Sequence, residues 1–89
     1  MTTFRVSGAL LRFTDFQPRL RVADGTVQSA IDELVGRYPG MAEVLYDRNG
    51  RLRRTHRFAL NGELLTGRFL HLEVGSDDQI DILLAVSGG

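Results

Sequence analysis

Eighty-nine residues, 43% hydrophobic and 25% charged, suffice for one folded domain and leave no room for a second core. Eleven arginines balance eleven Asp plus Glu with no lysine at all, which argues against a chain drawn by its overall charge onto nucleic acid or anionic membrane. The absence of cysteine removes disulfides, thiolate metal sites and cysteine nucleophiles. Arg5 and Arg12 interrupt the only apolar N-terminal stretch, so no leader or bilayer span is expected and the chain reads as soluble and cytoplasmic.

In chain order, Thr3 to Thr14 is β-prone through Phe4, Val6, Leu10, Leu11 and Phe13, with Ser7-Gly8 as the place for a bulge or kink. Asp15 supplies a turn. From Phe16 to Val22 the pattern alternates, placing Phe16, Pro18, Leu20 and Val22 inward and Gln17, Arg19 and Arg21 outward; Pro18 marks an edge or a strand start. The two runs together predict a β-hairpin.

The period then changes. Val27, Ala30, Ile31, Leu34, Val35 and Tyr38 recur at steps of three and four, one face of a helix. Thr26, after Asp24-Gly25, is its expected N-cap, and Pro39 with Gly40 ends it. Burying Ile31, Leu34 and Val35 would each contribute about 1.5–3 kcal/mol before entropy is charged against them. Met41 to Leu45 reads as a short turn of helix and Asp47 to Gly50 as a turn. Arg54 to Leu60 is an expected strand ending at Asn61-Gly62, a strong hairpin signal, and Glu63 to Leu70 an irregular connection. In the last segment Ile80, Ile82, Leu84 and Val86 alternate with Asp81, Leu83 and Ala85 as a strand. A hairpin, a helix and two later strands predict an α+β roll.

Little in this pattern supports catalysis. His56 and His71 are the only candidate bases; neither sits in a nucleophile motif, and no His-x-His or His-x3-His spacing exists to hold a metal. Gly36, Gly40 and Gly50 are scattered turn glycines rather than a phosphate loop, and Asp77, Asp78 and Asp81 read as solvated surface. No catalytic residue and no metal ligand is therefore assigned. A cluster stands out instead: Arg48, Arg51, Arg53, Arg54 and Arg57 lie close together, flanked by Tyr46 and Phe58. They could grip anions, although the plainer expectation is pairing with Glu43, Asp47 or Glu63; at zero net charge an acidic protein partner is favoured over nucleic acid.

The other distinctive feature is Gly88-Gly89 following the last strand. Lacking Cβ atoms, an extended Gly-Gly can thread a narrow channel and present its carboxylate to a nucleotide phosphate. A frayed end is the competing explanation.

The run Ile82-Leu83-Leu84-Ala85-Val86-Ser87-Gly88-Gly89, preceded by Asp78-Gln79-Ile80-Asp81 and by the Asn61-Gly62-Glu63 turn, resembles the ThiS/MoaD family of ubiquitin-like sulfur carriers. Asp77 stands where the family pattern has Gly, and Leu84 where it usually has Pro. Arg37-Tyr38-Pro39-Gly40-Met41 through Leu45, with Arg54-Thr55-His56-Arg57-Phe58, is similar to the longer CysO-like branch. The resemblance implies a β-grasp domain over residues 1–86, a mixed sheet packed on one main helix, and a flexible tail over 87–89. It implies that Ser87, Gly88 and Gly89 thread an E1-like adenylating enzyme of the ThiF/MoeB type. Gly89 would be adenylated there and converted to a thiocarboxylate, with sulfur from a cysteine desulfurase or rhodanese-like donor passing on to an accepting biosynthetic enzyme. The carrier itself would be no enzyme and bind no cofactor, the ATP belonging to the activating enzyme. Outward apolar residues on the last strands (Leu83, with Phe58 or Leu60) are the expected docking surface, and no nucleic acid or membrane is expected as partner. Two other readings compete: a ubiquitin-like modifier conjugated through Gly89, and a β-grasp interaction module using the Arg48–Arg57 stretch.

Overall fold

A computed structural model describes residues 1–84. Strand β1 (Thr2–Arg5) is short, and the chain then winds into a 3-10 helix (Gly8–Phe13) before β2 (Arg19–Val22) returns antiparallel to β1. The hairpin is as expected, but the single long first strand is not. Gly8 takes φ +61°, which turns the chain out of the extended region, and Leu10 enters the core from the 3-10 helix. Phe16 and Pro18 are also corrected: both lie ahead of β2 and are exposed, Phe16 at 71%, while Leu20 and Val22 face inward as expected.

Strand β3 (Gly25–Thr26) leads directly into α1 (Val27–Arg37). Thr26 caps this helix: its hydroxyl accepts the Ser29 N–H at 3.1 Å while the Ser29 hydroxyl accepts the Thr26 N–H at 2.8 Å. The next two free amides, Val27 and Gln28, donate to the Leu72 and Leu70 carbonyls, so the loop ahead of β6 is stitched to the helix start. After Pro39 a second short helix, α2 (Gly40–Leu45), buries Met41 and Leu45.

Strand β4 (His56–Leu60) begins two residues later than the sequence pattern predicts. It turns through Asn61-Gly62, both at positive φ, into β5 (Glu63–Leu64), so the expected irregular connection starts with a strand. Strand β6 (Glu73–Val74) pairs only with β3, and β7 (Gln79–Leu84) is the last described element. The main sheet runs β2-β1-β7-β4-β5, with β1 and β7 parallel and the other pairs antiparallel. One face carries Phe4, Val22, Phe58, Ile80 and Ile82 onto Val27, Ala30, Ile31 and Leu34 of α1, with Met41 and Leu45 extending the core. This is the α+β arrangement that the sequence pattern predicts, with the mixed sheet on one main helix that the resemblance implies. No described helix is long and apolar enough to cross a membrane.

Candidate functional site

Strand β7 lies between β1 and β4, and its last described residues, Leu83 and Leu84, pair with Arg57 and His56. Whatever follows Leu84 leaves from this place. Ser87, Gly88 and Gly89, the sequence-derived reactive terminus, lie outside the described residues.

Alternation along β7 buries Ile80 and Ile82 and turns Leu83 to the opposite face, where it is 42% exposed. Its cross-strand partner there is Arg57, and the next pair along is Ala59 with Asp81. Across β4, Ala59 pairs with Leu64, which is 47% exposed. The outward apolar surface is therefore Leu83 and Leu64, with Ala59 between them on the same face but only 4% exposed, bordered by the Arg5–Asp81 ion pair at 3.5 Å. Of the expected docking residues, Leu83 faces outward. Phe58 does not: it is 2% exposed and belongs to the core, and Leu60, on the same side of β4, packs against that core. Leu64 was missed, although the two-residue Asn61-Gly62 turn fixes the register that sets it opposite Ala59.

The arginine cluster lines a groove of about 840 Å³ between residues 46–58 and the loop 65–70. Arg51, Arg53, Arg54 and Arg57 line it, and Arg68 joins them from the facing loop; Arg48 does not. The expected pairing with Glu43, Asp47 or Glu63 does not form among the described residues, where the ion pairs are Met1–Asp24, Arg5–Asp81 and Arg37–Glu33. Asp47 instead accepts the Arg51 and Asn49 backbone N–H groups, and the Arg51 bond leads in holding its carboxyl below the ordinary value. Arg53 Nε donates to the Glu43 carbonyl at 3.1 Å. His56, beside them, has its pKa lowered by burial first and by the Arg53 charge second, while His71 is exposed and far along the chain from it. Among the acids considered for a cation, Asp78 accepts from Asn61 Nδ2 and the Gly75 N–H, and Asp81 faces Arg5. Among the described residues no cluster of three His, Asp or Glu is placed to hold a metal.

Residues 15–89 match the model of the ThiS family. The chain belongs to the ThiS family. No curated protein sequence matches it. Among solved structures it is similar to the Mycobacterium tuberculosis antigen CysO, at 27% identity and a TM-score of 0.83 over 97% of this chain and 100% of that one. The Amycolatopsis orientalis BexX/CysO complex contains a chain matched at 27% identity and 0.83, each covered in full. SAMP1 from Haloferax volcanii follows at 25% identity and 0.79, covering 99% and 98%. The fold is thus the ubiquitin-like β-grasp, and this ThiS/MoaD-type chain sits on the CysO-like branch, among ubiquitin-like carriers and modifiers.

Proposed function

We propose that this ThiS-family chain is a sulfur carrier that holds its sulfur on the Gly89 carboxyl. The observation that carries the reading is the family match running through Gly89 in a chain without cysteine. A persulfide has no thiol to form on, and the Met1 and Met41 thioethers are not transferable donors. In the proposed cycle a ThiF/MoeB-type enzyme joins the carboxylate to the α-phosphorus of ATP, releasing pyrophosphate. Hydrosulfide-level sulfur, supplied by a desulfurase or rhodanese-like donor with a thiol reductant, attacks the acyl carbon; AMP leaves and a thiocarboxylate remains for an accepting biosynthetic enzyme. The carrier supplies no catalytic group and no bound cofactor. Its part is to dock through Leu83 and Leu64 and to deliver Ser87, Gly88 and Gly89.

The test is alkylation after activation by the cognate enzyme with ATP and sulfide. One iodoacetamide label at Gly89, absent without ATP and absent when Gly89 is deleted or extended by one residue, is expected. An activated protein that stays unlabelled, or an extended variant that labels equally, overturns the reading. A second reading, conjugation of the activated carboxyl to an amine, is favoured by the likeness to SAMP1 of H. volcanii, whose fuller name is small archaeal modifier protein 1. Lacking lysine, this chain offers no side-chain amine for linking copies of itself, so amide formation on a lysine of another protein in the same assay would mark it.

A further inference from the structure

The outward apolar face and the Gly89 terminus leave the arginine-lined groove without a role. Its composition is one-sided. Arg51, Arg53, Arg54, Arg57 and Arg68 line it and no Asp or Glu does, in a chain whose formal charge is zero. Asp47, next to the lining residue Tyr46, is occupied by its own turn, and His56 adds little charge at neutral pH because burial and Arg53 hold its pKa down. The floor is apolar: Leu52, Leu65, Leu70 and Phe69, whose ring tilts against the buried Phe58 with centroids 5.9 Å apart.

These features choose the occupant. Five separate guanidinium forks offer more donors than one phosphate or carboxylate can accept, so the occupant carries several acids. An apolar floor beneath a cationic rim favours acids interspersed with an apolar side chain. Of the three lining aromatics, Phe58 is 2% exposed and Tyr46 and Phe69 are half-buried against the core, which leaves little free ring face for the base stacking a nucleic acid would need. Position adds continuity: Arg57 pairs with Leu83 on the strand from which the chain leaves toward Gly89.

We infer that the groove between residues 46–58 and the 65–70 loop binds an acidic peptide segment of a partner protein, its carboxylates on the arginine rim and an apolar side chain against Leu52, Leu65, Phe69 and Leu70. The inference stands on the groove and does not require sulfur at Gly89, so it is tested without activation. The 15N-labelled full chain is titrated with a synthetic peptide alternating Asp and Glu with Phe and Leu, and in parallel with its Asn/Gln counterpart, with inorganic phosphate, and with a short single-stranded DNA. Amide shifts are expected at 51–58 and 65–70, saturating with the acidic peptide by about 1 mM and weakening roughly tenfold as salt is raised severalfold. Arg54→Glu with Arg68→Glu, at exposed positions on opposite walls, should weaken binding at least about tenfold while leaving the rest of the spectrum in place. Equal binding of the uncharged peptide, equal shifts from phosphate, tighter binding of DNA, or no groove shifts with the acidic peptide would each overturn the inference. Should the double variant unfold, Arg54→Gln with Arg68→Gln carries the same expectation at smaller amplitude.

Discussion

Phe16 is the least economical residue in the described chain. It holds a left-handed φ of +61°, next to Asp15 at +52°, and leaves its ring 71% exposed. A bulky side chain in that region costs on the order of 1–3 kcal/mol and persists only where the surroundings impose it. Here they do: the Phe16 N–H donates to Leu11 at 2.8 Å, and the buried Thr14 hydroxyl contacts the Gln17 carbonyl at 3.0 Å. Asn tolerates the same φ and gives up little buried area, so Phe16→Asn should stabilise the fold by about 1 kcal/mol. A higher urea midpoint at unchanged slope would show it; a lower one would mean that the ring supports the turn. Leu83 is the opposite kind of exposed residue, unstrained and regular. If it forms the docking contact with Leu64, then Leu83→Arg and Leu64→Arg should each lower kcat/KM for adenylation about tenfold or more while Tm stays near that of the parent. Unchanged kinetics in both variants would remove this face from the interface.

Among the elements, those encoded locally were legible in the sequence. The α1 face, its Thr26 cap and the Asn61-Gly62 turn depend on neighbours a few residues apart, and the structure places them as the pattern predicts. Since Leu34 is 1% exposed in that face, Leu34→Ala should cost about 2–5 kcal/mol; a loss well under 1 kcal/mol in urea titration would make α1 peripheral. The 3-10 helix was not legible because Leu10, Leu11 and Phe13 are as suited to a strand, and one glycine dihedral decides between them. Likewise β3–β6 and the groove form from segments that meet only in three dimensions. The β4–β5 turn joins both kinds of information. Asn61 Nδ2 donates to Asp78 at 2.9 Å and Asn61 Oδ1 accepts the Gln79 N–H at 2.9 Å, locking a local turn to the start of β7. The Asn61 bond, followed by the Gly75 N–H, holds the Asp78 carboxyl below its ordinary value. A depressed folded pKa stabilises above the unfolded value and that gain is lost as pH falls through the folded one. Between neutral pH and about pH 3, Asp78→Asn should therefore lose less stability than the parent. Equal losses in paired urea titrations would show the clamp to be energetically idle.

At the scale of the whole molecule, the sheet is closed by the two ends of the sequence. Strand β1 pairs in parallel with β7 and β7 pairs antiparallel with β4, so the strand preceding the proposed reactive terminus lies at the centre of the sheet rather than at its edge. Ile80 and Ile82, 0% and 2% exposed, anchor it to the α1 core. The parallel pairing joins residues near opposite ends of the chain, a costly loop closure that only the completed core offsets. Opening β7 should thus require opening the whole domain, whereas β5, two residues long, exposed and paired on one side only, can fray alone. Such an arrangement suits a carrier, since the departure point at Leu84 is held on a rigid base however the terminus is handled by partners. Hydrogen exchange under increasing sub-denaturing urea separates the two behaviours. The β7 amides hydrogen-bonded to β1 or β4 should exchange with a denaturant slope equal to that of global unfolding, and the Leu65 amide, which donates to the Phe58 carbonyl at the end of β5, with almost none. Fast, denaturant-independent exchange along β7 would mean that the terminus is carried on a locally opening strand, and docking through Leu83 would then have to order it first.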